Sequence, residues 1–264
     1  MKVVLFCGGL GTRLREHSET IPKPLVNVGY RPLLWHLMRY YAHFGHKDFI
    51  LCLGYRGDLI REYFLNYRAA MSTDFVWSEG GRRVELLGED CGDWRITFVD
   101  TGMHSNLGQR LMRVRHLVDQ EEVFLANYSD GLSDLPLSEH TARFVADDAV
   151  ASFVSVRPSQ SFHAVRADDR GVVTAIEPVS ASDYWINGGF FCLRRSIFDY
   201  MRPDEELVEQ PFQRLLAEQR LSTWKYEGFW GAMDTFKDKI TLDRMEARGE
   251  CPWMVWKGAK QPSC

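Results

Sequence analysis

No stretch of the chain is apolar for long enough to span a bilayer. The first apolar run, Val3 to Cys7, is too short for a secretory signal and leads straight into glycines. Six cysteines (Cys7, Cys52, Cys91, Cys192, Cys251 and Cys264) are scattered without a Cys-x-x-Cys pair. That spacing speaks against structural zinc and against a disulfide framework. Cys7, Cys52 and Cys192 sit in apolar runs and read as small core residues. A basic excess is also missing, since 32 Lys and Arg stand against 36 Asp and Glu. Neither a nucleic-acid partner nor a membrane partner is indicated. There is no internal repeat and no low-complexity linker. The expectation is a soluble, reduced, cytoplasmic protein.

What is present is enough apolar material, 45% of 264 residues, for a sizeable core. The first half alternates short β-rich runs (Val3–Phe6, Phe49–Leu53, Ile96–Val99, Val123–Ala126) with helical spacings. These recur at Leu33, Leu34, Leu37, Met38 and Tyr41, at Leu59, Ile60, Tyr63, Phe64 and Tyr67, and at Leu107, Leu111, Val114 and Leu117. Such alternation predicts right-handed βαβ units and an α/β fold. Its Rossmann-like central sheet is mixed, mostly parallel and flanked by helices. The second half is richer in strands, at Ala151–Val156, His163–Arg166, Val172–Ile176 and Gly189–Leu193. Helical patterns return at Glu209–Glu218 and Phe236–Ala247. The polar segment Asp74–Trp94 breaks the rhythm and reads as a projecting hairpin or lid. No boundary divides the chain, so residues 1–264 are expected to form one domain. Its halves run over about 1–135 and about 136–250, with the insert at about 74–94.

The opening MKVVLFCGGLGTRL places Gly8, Gly9, Gly11, Thr12 and Arg13 directly after the first strand. Glycine lets a backbone approach a phosphate closely, and successive N–H groups form an anion-binding concavity. A P-loop is excluded because GxxxxGK[ST] is absent. A dinucleotide fingerprint fails because Leu14 stands where the third glycine belongs. A tight turn alone would also use these glycines. Arg13 adds a fork of phosphate donors, and Lys23 a point charge stiffened by Pro22 and Pro24. Together they describe a polyphosphate clamp.

GGLGTRL followed by Lys-Pro resembles the signature of the sugar-phosphate nucleotidyltransferases, and within them the cytidylyltransferases that act on glucose-1-phosphate. LLWHLMRYYAHFG, GYRGDLIREYFLNY, VDTG, GQRLMRVR, YSDGLSD, WINGGFF and GFWGAMDT extend the resemblance from Lys2 to about Leu242. It implies a GT-A-like nucleotidyltransferase fold. The implied reaction is attack by a sugar-1-phosphate oxygen on the α-phosphate of CTP, releasing pyrophosphate and giving a CDP-sugar for nucleotide-sugar biosynthesis. The nucleophile is already an anion, so charge neutralisation and alignment suffice. Homo-oligomers are implied too, with the insert a candidate for subunit contacts. The chain carries no stacked hexapeptide repeats, so acyltransferase activity is not expected.

By the same resemblance Arg13 and Lys23 are catalytic, and Asp130 and Asp234 hold one Mg²⁺. Read from the residues alone, Asp130 suits a hard cation at a strand end. A turn or a helix cap would use either aspartate equally well, and a turn or cap is the reading for Asp134. The nucleotide side comprises Gly8, Gly9, Gly11, Thr12, Arg13, Lys23, Thr101, Gly102, Gly108, Arg110 and Asp130. Arg113 and Arg115 read as a solvated helix face. The acceptor side comprises Tyr128, His163, Glu177, Asn187, Gly188 and Trp230, with core packing an open alternative for Tyr128 and Trp230.

Two positions depart from the family pattern. Glu177-Pro178-Val179 stands where Glu-Lys-Pro is usual, and Phe162-His163-Ala164 where Phe-Gly-Ala is usual. The missing lysine ordinarily meets the acceptor phosphate, and the missing glycine faces the sugar. The acceptor is therefore either glucose-1-phosphate, with Arg157 or Lys225 replacing the lost charge, or a different sugar-1-phosphate, phosphate or phosphonate. A non-catalytic nucleotide sensor on the same fold is a further class, and the retained Arg13, Lys23, Asp130 and Asp234 speak against it. A nicotinamide oxidoreductase fails on the absent third glycine and on Lys23 bracketed by prolines.

Overall fold

The computed structural model describes residues 1–9, 21–88, 91–158, 162–181 and 183–258. Seven principal strands are β1 (Val3–Phe6), β2 (Asp48–Leu53), β3 (Arg95–Asp100), β4 (Val123–Tyr128), β5 (Ala151–Val156), β6 (Phe191–Arg194) and β7 (Leu221–Tyr226). The helices are α1 (Leu33–His43), α2 (Gly57–Leu65), α3 (Leu107–Val118), α4 (Leu137–Ala146), α5 (Gln210–Ala217) and α6 (Phe236–Ala247). β1 pairs in parallel with β2 and β4, and β2 with β3. β6 runs antiparallel between β4 and β5. β7 covers one whole edge of β5 in parallel. The short strand Ile186–Asn187 therefore continues β6 along the other edge of β5, after an interruption at residues 188–190. The sheet is mixed and mostly parallel, as the strand–helix alternation predicts.

Period-two alternation sends β1 side chains to two separate cores. Val3, Leu5 and Cys7 pack with Leu33, Leu37, Met38 and Tyr41 of α1. Val4 and Phe6 pack on the opposite face with Leu111, Val114 and Val118 of α3 and Phe212 and Leu215 of α5. Because both faces are covered, the strands read as continuous apolar runs. Cys7, Cys52 and Cys192 are buried, free thiols. α3 starts at a capping box in which Asn106 and Gln109 satisfy each other's backbone N–H.

The segment 74–94 contains an antiparallel hairpin, Phe75–Ser78 with Arg83–Leu86. It is less polar than its sequence suggests, since Trp77 and Val84 are exposed on it. Glu85 beside them is exposed too. A second hairpin joins His163–Ala167 to Val173–Pro178. β7 and α4 were not singled out by the sequence patterns. Leu221–Tyr226 alternates with bulky polar residues, and α4 buries only one face. Among the described residues no helix is long and apolar enough to cross a membrane.

Apart from β6 and its short continuation, every strand of the main sheet points the same way. Their carboxyl ends form one edge carrying Gly8 and Gly9, Gly54, Thr101, Asp130, Arg157 and residues 227–234. Ligands of open α/β sheets bind at this edge.

Two histidines are sealed into the fold, each 1% exposed. His36 Nε2 lies 3.0 Å from the Val28 carbonyl and His140 Nε2 3.0 Å from that of Phe190. Each ring is therefore a neutral Nε2–H tautomer donating to that oxygen. Burial pulls both pKa values down to about 4. The unfolded chain takes up protons at these sites below about pH 6.5, and the folded protein does not until near pH 4. Stability should therefore fall as pH drops through that window, by roughly 2–3 kcal/mol per pH unit for the pair. Urea unfolding at pH 7 and pH 5 measures this, and His140→Gln should narrow the difference.

Candidate active site

Lys23 opens a three-residue helical turn, Lys23–Leu25, between Pro22 and the buried Pro24. Two fixed φ angles beside it reduce the entropy lost when its side chain is held. Asp130 follows β4. Asp234 lies just beyond the strand Trp230–Ala232, which pairs antiparallel with Gly131–Ser133. Gly131 stands opposite Ala232, and Met233 N–H donates to the Asp130 carbonyl at 2.9 Å. This ladder brings the two carboxylates together from positions more than a hundred residues apart. Lys23 Nζ lies 2.6 Å from Asp130 Oδ2 and 2.7 Å from Asp234 Oδ1. Burial alone would lower the lysine pKa, but Asp130 and then Asp234 outweigh it, and the net shift is upward. The ammonium is fully charged at neutral pH.

This triad faces a cleft of about 420 Å³ whose wall also includes Gly8, Gly9, Tyr128, Arg110 and Glu206. Asp234 does not cap α6. That task falls to Thr235, in a capping box with Asp238. Asp134 is not a simple turn or cap residue either. Its Oδ1 accepts from the Tyr226 hydroxyl at 2.6 Å, which ties the strand end of β7 to the Gly131–Ser133 segment.

Arg110 is 4% exposed and stands beneath the glycine turn. Nη1 donates to the Leu53 carbonyl at 3.1 Å and Thr101 Oγ1 at 2.8 Å. Nη2 donates to the carbonyls of Gly8 at 2.9 Å and Met103 at 3.4 Å. Burial lowers its pKa, and these four oxygens replace the lost water. The guanidinium fills the space where a Cβ on Gly8 would stand, whereas among the described residues nothing lies within 4 Å of the same position on Gly9. Gly9 is thus the open approach to the cleft, and Gly8 is the seat of the arginine. Gly11, Thr12 and Arg13 lie outside the described residues.

Thr101, Gly102 and Gly108 stand behind the cleft wall. Thr101 Oγ1 donates to the Leu53 carbonyl at 2.7 Å. Gly102 has φ +88°, and a Cβ on Gly108 would overlap the Glu205 carbonyl oxygen. Arg113 and Arg115 are exposed on α3.

On the acceptor side, Asn187 Nδ2 donates to the Tyr128 hydroxyl at 3.4 Å, and its Oδ1 accepts from Gly189 N–H at 2.9 Å. Trp230 Nε1 donates to the Gly188 carbonyl at 2.9 Å. His163 and Glu177 belong to the second hairpin, where Glu177 pairs with Arg166 at 3.0 Å. His163 stands directly opposite Pro178 in register. The two departures from the family pattern are therefore one cross-strand pair. Glu206 escaped the sequence reading. Burial raises its pKa, and its carboxylate accepts from Leu107 N–H at 3.3 Å at the start of α3. Nothing in the acidic stretch PDEELVEQ distinguishes it before folding brings it to that helix end.

The carboxylates of Asp130 and Asp234 converge on a single cationic centre, which is what a shared cation requires. Among the described residues no cluster of three or more His, Cys, Asp or Glu side chains is placed to hold a metal. A cation here would complete its shell from water and substrate oxygens, as Mg²⁺ commonly does.

Two outcomes follow from this geometry. Arg110→Met leaves several buried oxygens without a donor and should lower unfolding free energy by about 3 kcal/mol, read by urea titration. Lys23→Ala leaves two facing carboxylates without their counter-ion. It should melt at lower temperature than the parent and regain more of that loss than the parent gains when millimolar Mg²⁺ is added.

Residues 2–230 match the nucleotidyl transferase family. The chain is 38% identical to the glucose-1-phosphate cytidylyltransferase of Salmonella typhi, over 97% of this chain and all of that protein. It is 26% identical to the mannose-1-phosphate guanyltransferase of Yarrowia lipolytica, over 99% of this chain and 66% of that protein. The crystal structure of HddC from Yersinia pseudotuberculosis in complex with GMP-PN superposes with a TM-score of 0.63. That match covers 93% of this chain and 99% of that one at 19% identity, a likeness of fold. The chain belongs to the nucleotidyl transferase family.

Proposed function

We propose that this protein transfers CMP from CTP to the phosphate of a sugar-1-phosphate, giving a CDP-sugar and pyrophosphate, with Mg²⁺ at Asp130 and Asp234. The observation that carries this reading is Lys23 between those two carboxylates at the carboxyl edge of the sheet, open to a cleft. The extent and level of identity to a protein named for glucose-1-phosphate and cytidylyl transfer supports CTP as donor.

The acceptor phosphate oxygen forms a bond to the α-phosphorus, the bond from that phosphorus to the β-phosphate oxygen breaks, and pyrophosphate leaves with the electron pair. No proton has to be abstracted, so the protein's work is charge and alignment. The exposed Gly9 gives the triphosphate backbone access. Lys23 exchanges its carboxylate partners for phosphate oxygens and opposes the charge that develops on the departing pyrophosphate. Arg13 does the same by its place in the motif. Bound Mg²⁺ supplies further neutralisation of the phosphates. Arg110 keeps the Gly8 carbonyl and the Thr101 segment fixed, so the turn presents one shape to the nucleotide. Tyr128, positioned by Asn187, and Trp230, anchored to Gly188, form the acceptor-facing wall.

Acceptor choice is where this chain is expected to differ from its relatives. The cross-strand pair His163 and Pro178 puts an imidazole opposite a rigid, uncharged residue on the hairpin that carries Glu177. That pair favours an acceptor other than glucose-1-phosphate.

The test is pyrophosphate release with Mg²⁺ across CTP, UTP, dTTP, ATP and GTP, each with a panel of sugar-1-phosphates and small phosphonates. CTP should support turnover at least tenfold above the other nucleotides. Lys23→Ala and Arg13→Ala should each lower turnover by roughly two to three orders of magnitude. Absence of release with every pair, or near-parental turnover in both variants, would overturn the proposal.

A further inference from the structure

Beyond the cleft, at the outer strands of the sheet, Arg157 and Lys225, the two cations weighed above as replacements for the lost lysine, gather on one tryptophan. The Arg157 guanidinium lies 4.6 Å from the Trp185 ring centroid, and the Lys225 ammonium 5.2 Å from the same centroid. Two cations thus share one indole and lie within the sum of those distances of each other. Among the described residues Lys225 makes this ring contact and no ion pair.

The register explains the convergence. Ser155 of β5 stands opposite Asn187 on one side and Lys225 of β7 on the other. Residues in register share a face, and so do residues two apart on a strand. Arg157 follows Ser155 by two, and Trp185 precedes Asn187 by two. All four side chains belong to the face of Asn187, whose amide reaches Tyr128 in the cleft wall.

Distance then decides which part of a ligand they meet. β5 is two strand spacings from β4, roughly 10 Å, and β7 is three, roughly 14 Å. The reacting phosphate must lie beside Lys23 and Asp130, which follows β4. A sugar ring plus a long cationic side chain bridges that span, so the cluster addresses the far end of the acceptor. Two cations gathered at one ring give that end of the sheet a positive charge that complements an anion. An indole face offers an apolar platform for a sugar or polyol ring.

We propose that Arg157, Lys225 and Trp185 form a subsite for a second anionic group on the acceptor, remote from the phosphate that reacts. The substrate class is a phosphorylated sugar or polyol that also carries a carboxylate or a further phosphate. This rests on the CMP-transfer reading above and narrows it. The second anion forms and breaks no bond. It is held by charge and by the fork of the arginine, and it selects the acceptor by binding.

The experiment compares glucose-1-phosphate, glucuronic acid 1-phosphate and glucose-1,6-bisphosphate as acceptors with CTP, reading pyrophosphate release. The first two differ only at the remote carbon, a neutral hydroxymethyl group in one and a carboxylate in the other, and the third places phosphate there. At least one acidic acceptor should exceed glucose-1-phosphate tenfold or more in kcat/KM, mainly through KM. The arm that responds tells carboxylate from phosphate. Lys225 is exposed, so Lys225→Gln keeps the fold and should bring the acid-to-neutral ratio towards one, with Lys225→Glu taking it lower. Glucose-1-phosphate equal to or better than both acids would overturn the subsite while leaving CMP transfer intact. A preference for acid that persists in an Arg157→Gln, Lys225→Gln double variant would overturn its assignment to these residues. Release with none of the three acceptors, nor with any of the wider panel, would overturn the transfer reading and the subsite with it.

Discussion

One ammonium group sits between two carboxylates at the carboxyl edge of the sheet, and the surrounding structure serves to keep it there. Lys23 reaches this position from a proline-bracketed turn, Asp130 from the end of β4 and Asp234 from the end of a short strand. None of the three belongs to the same element as another. The ladder between Gly131–Ser133 and Trp230–Ala232 is what joins the last two. A centre assembled this way carries one positive and two negative charges. In the proposed reaction a divalent cation would take the place of the ammonium between the carboxylates and leave Lys23 to a polyphosphate.

A second constraint lies directly underneath. The buried guanidinium of Arg110 gathers carbonyls from three separate segments, at Gly8, Leu53 and Met103, together with the Thr101 hydroxyl. Burying that charge is favourable only because every donor direction used meets an oxygen. Glycines at 8, 54 and 102 surround it, and a Cβ on Gly8 or Gly54 would strike the guanidinium itself. Gly8, which reads as room for a ligand, is thus room for an arginine, and the position beside the cleft left open is Gly9.

The fold was legible because the first half obeys simple periodicity. β1 has the bounds its pattern predicts, as do β5 and α6 in the second half, and Val3, Leu5 and Cys7 segregate from Val4 and Phe6 by strand alternation. The βαβ rhythm then fixed the carboxyl edge as the ligand side. Lys23 and Asp130 were visible through their brackets, two prolines and a strand end. Asp234 was visible only by resemblance, since local sequence makes it look like a helix cap. What could not be read depends on long-range pairing. The tie between Asp134 and Tyr226, the contact of Glu206 with the start of α3 and the shared indole of Arg157 and Lys225 each join positions with no local signal. The pairing of His163 with Pro178 is of the same kind. Two departures that look independent along the chain occupy facing positions on one hairpin.

In the proposed reading the acceptor side holds the individuality of this protein, and the charge centre its chemistry. The most direct measurement of that centre is a titration of Mn²⁺, standing in for Mg²⁺, followed by electron paramagnetic resonance in the presence of CTP, with the same titration of CTP alone subtracted. The remaining loss of free-ion signal should correspond to a single cation bound per chain in the parent protein and be strongly weakened in both Asp130→Asn and Asp234→Asn. Unchanged binding in either variant would contradict a cation shared by the two carboxylates that hold Lys23.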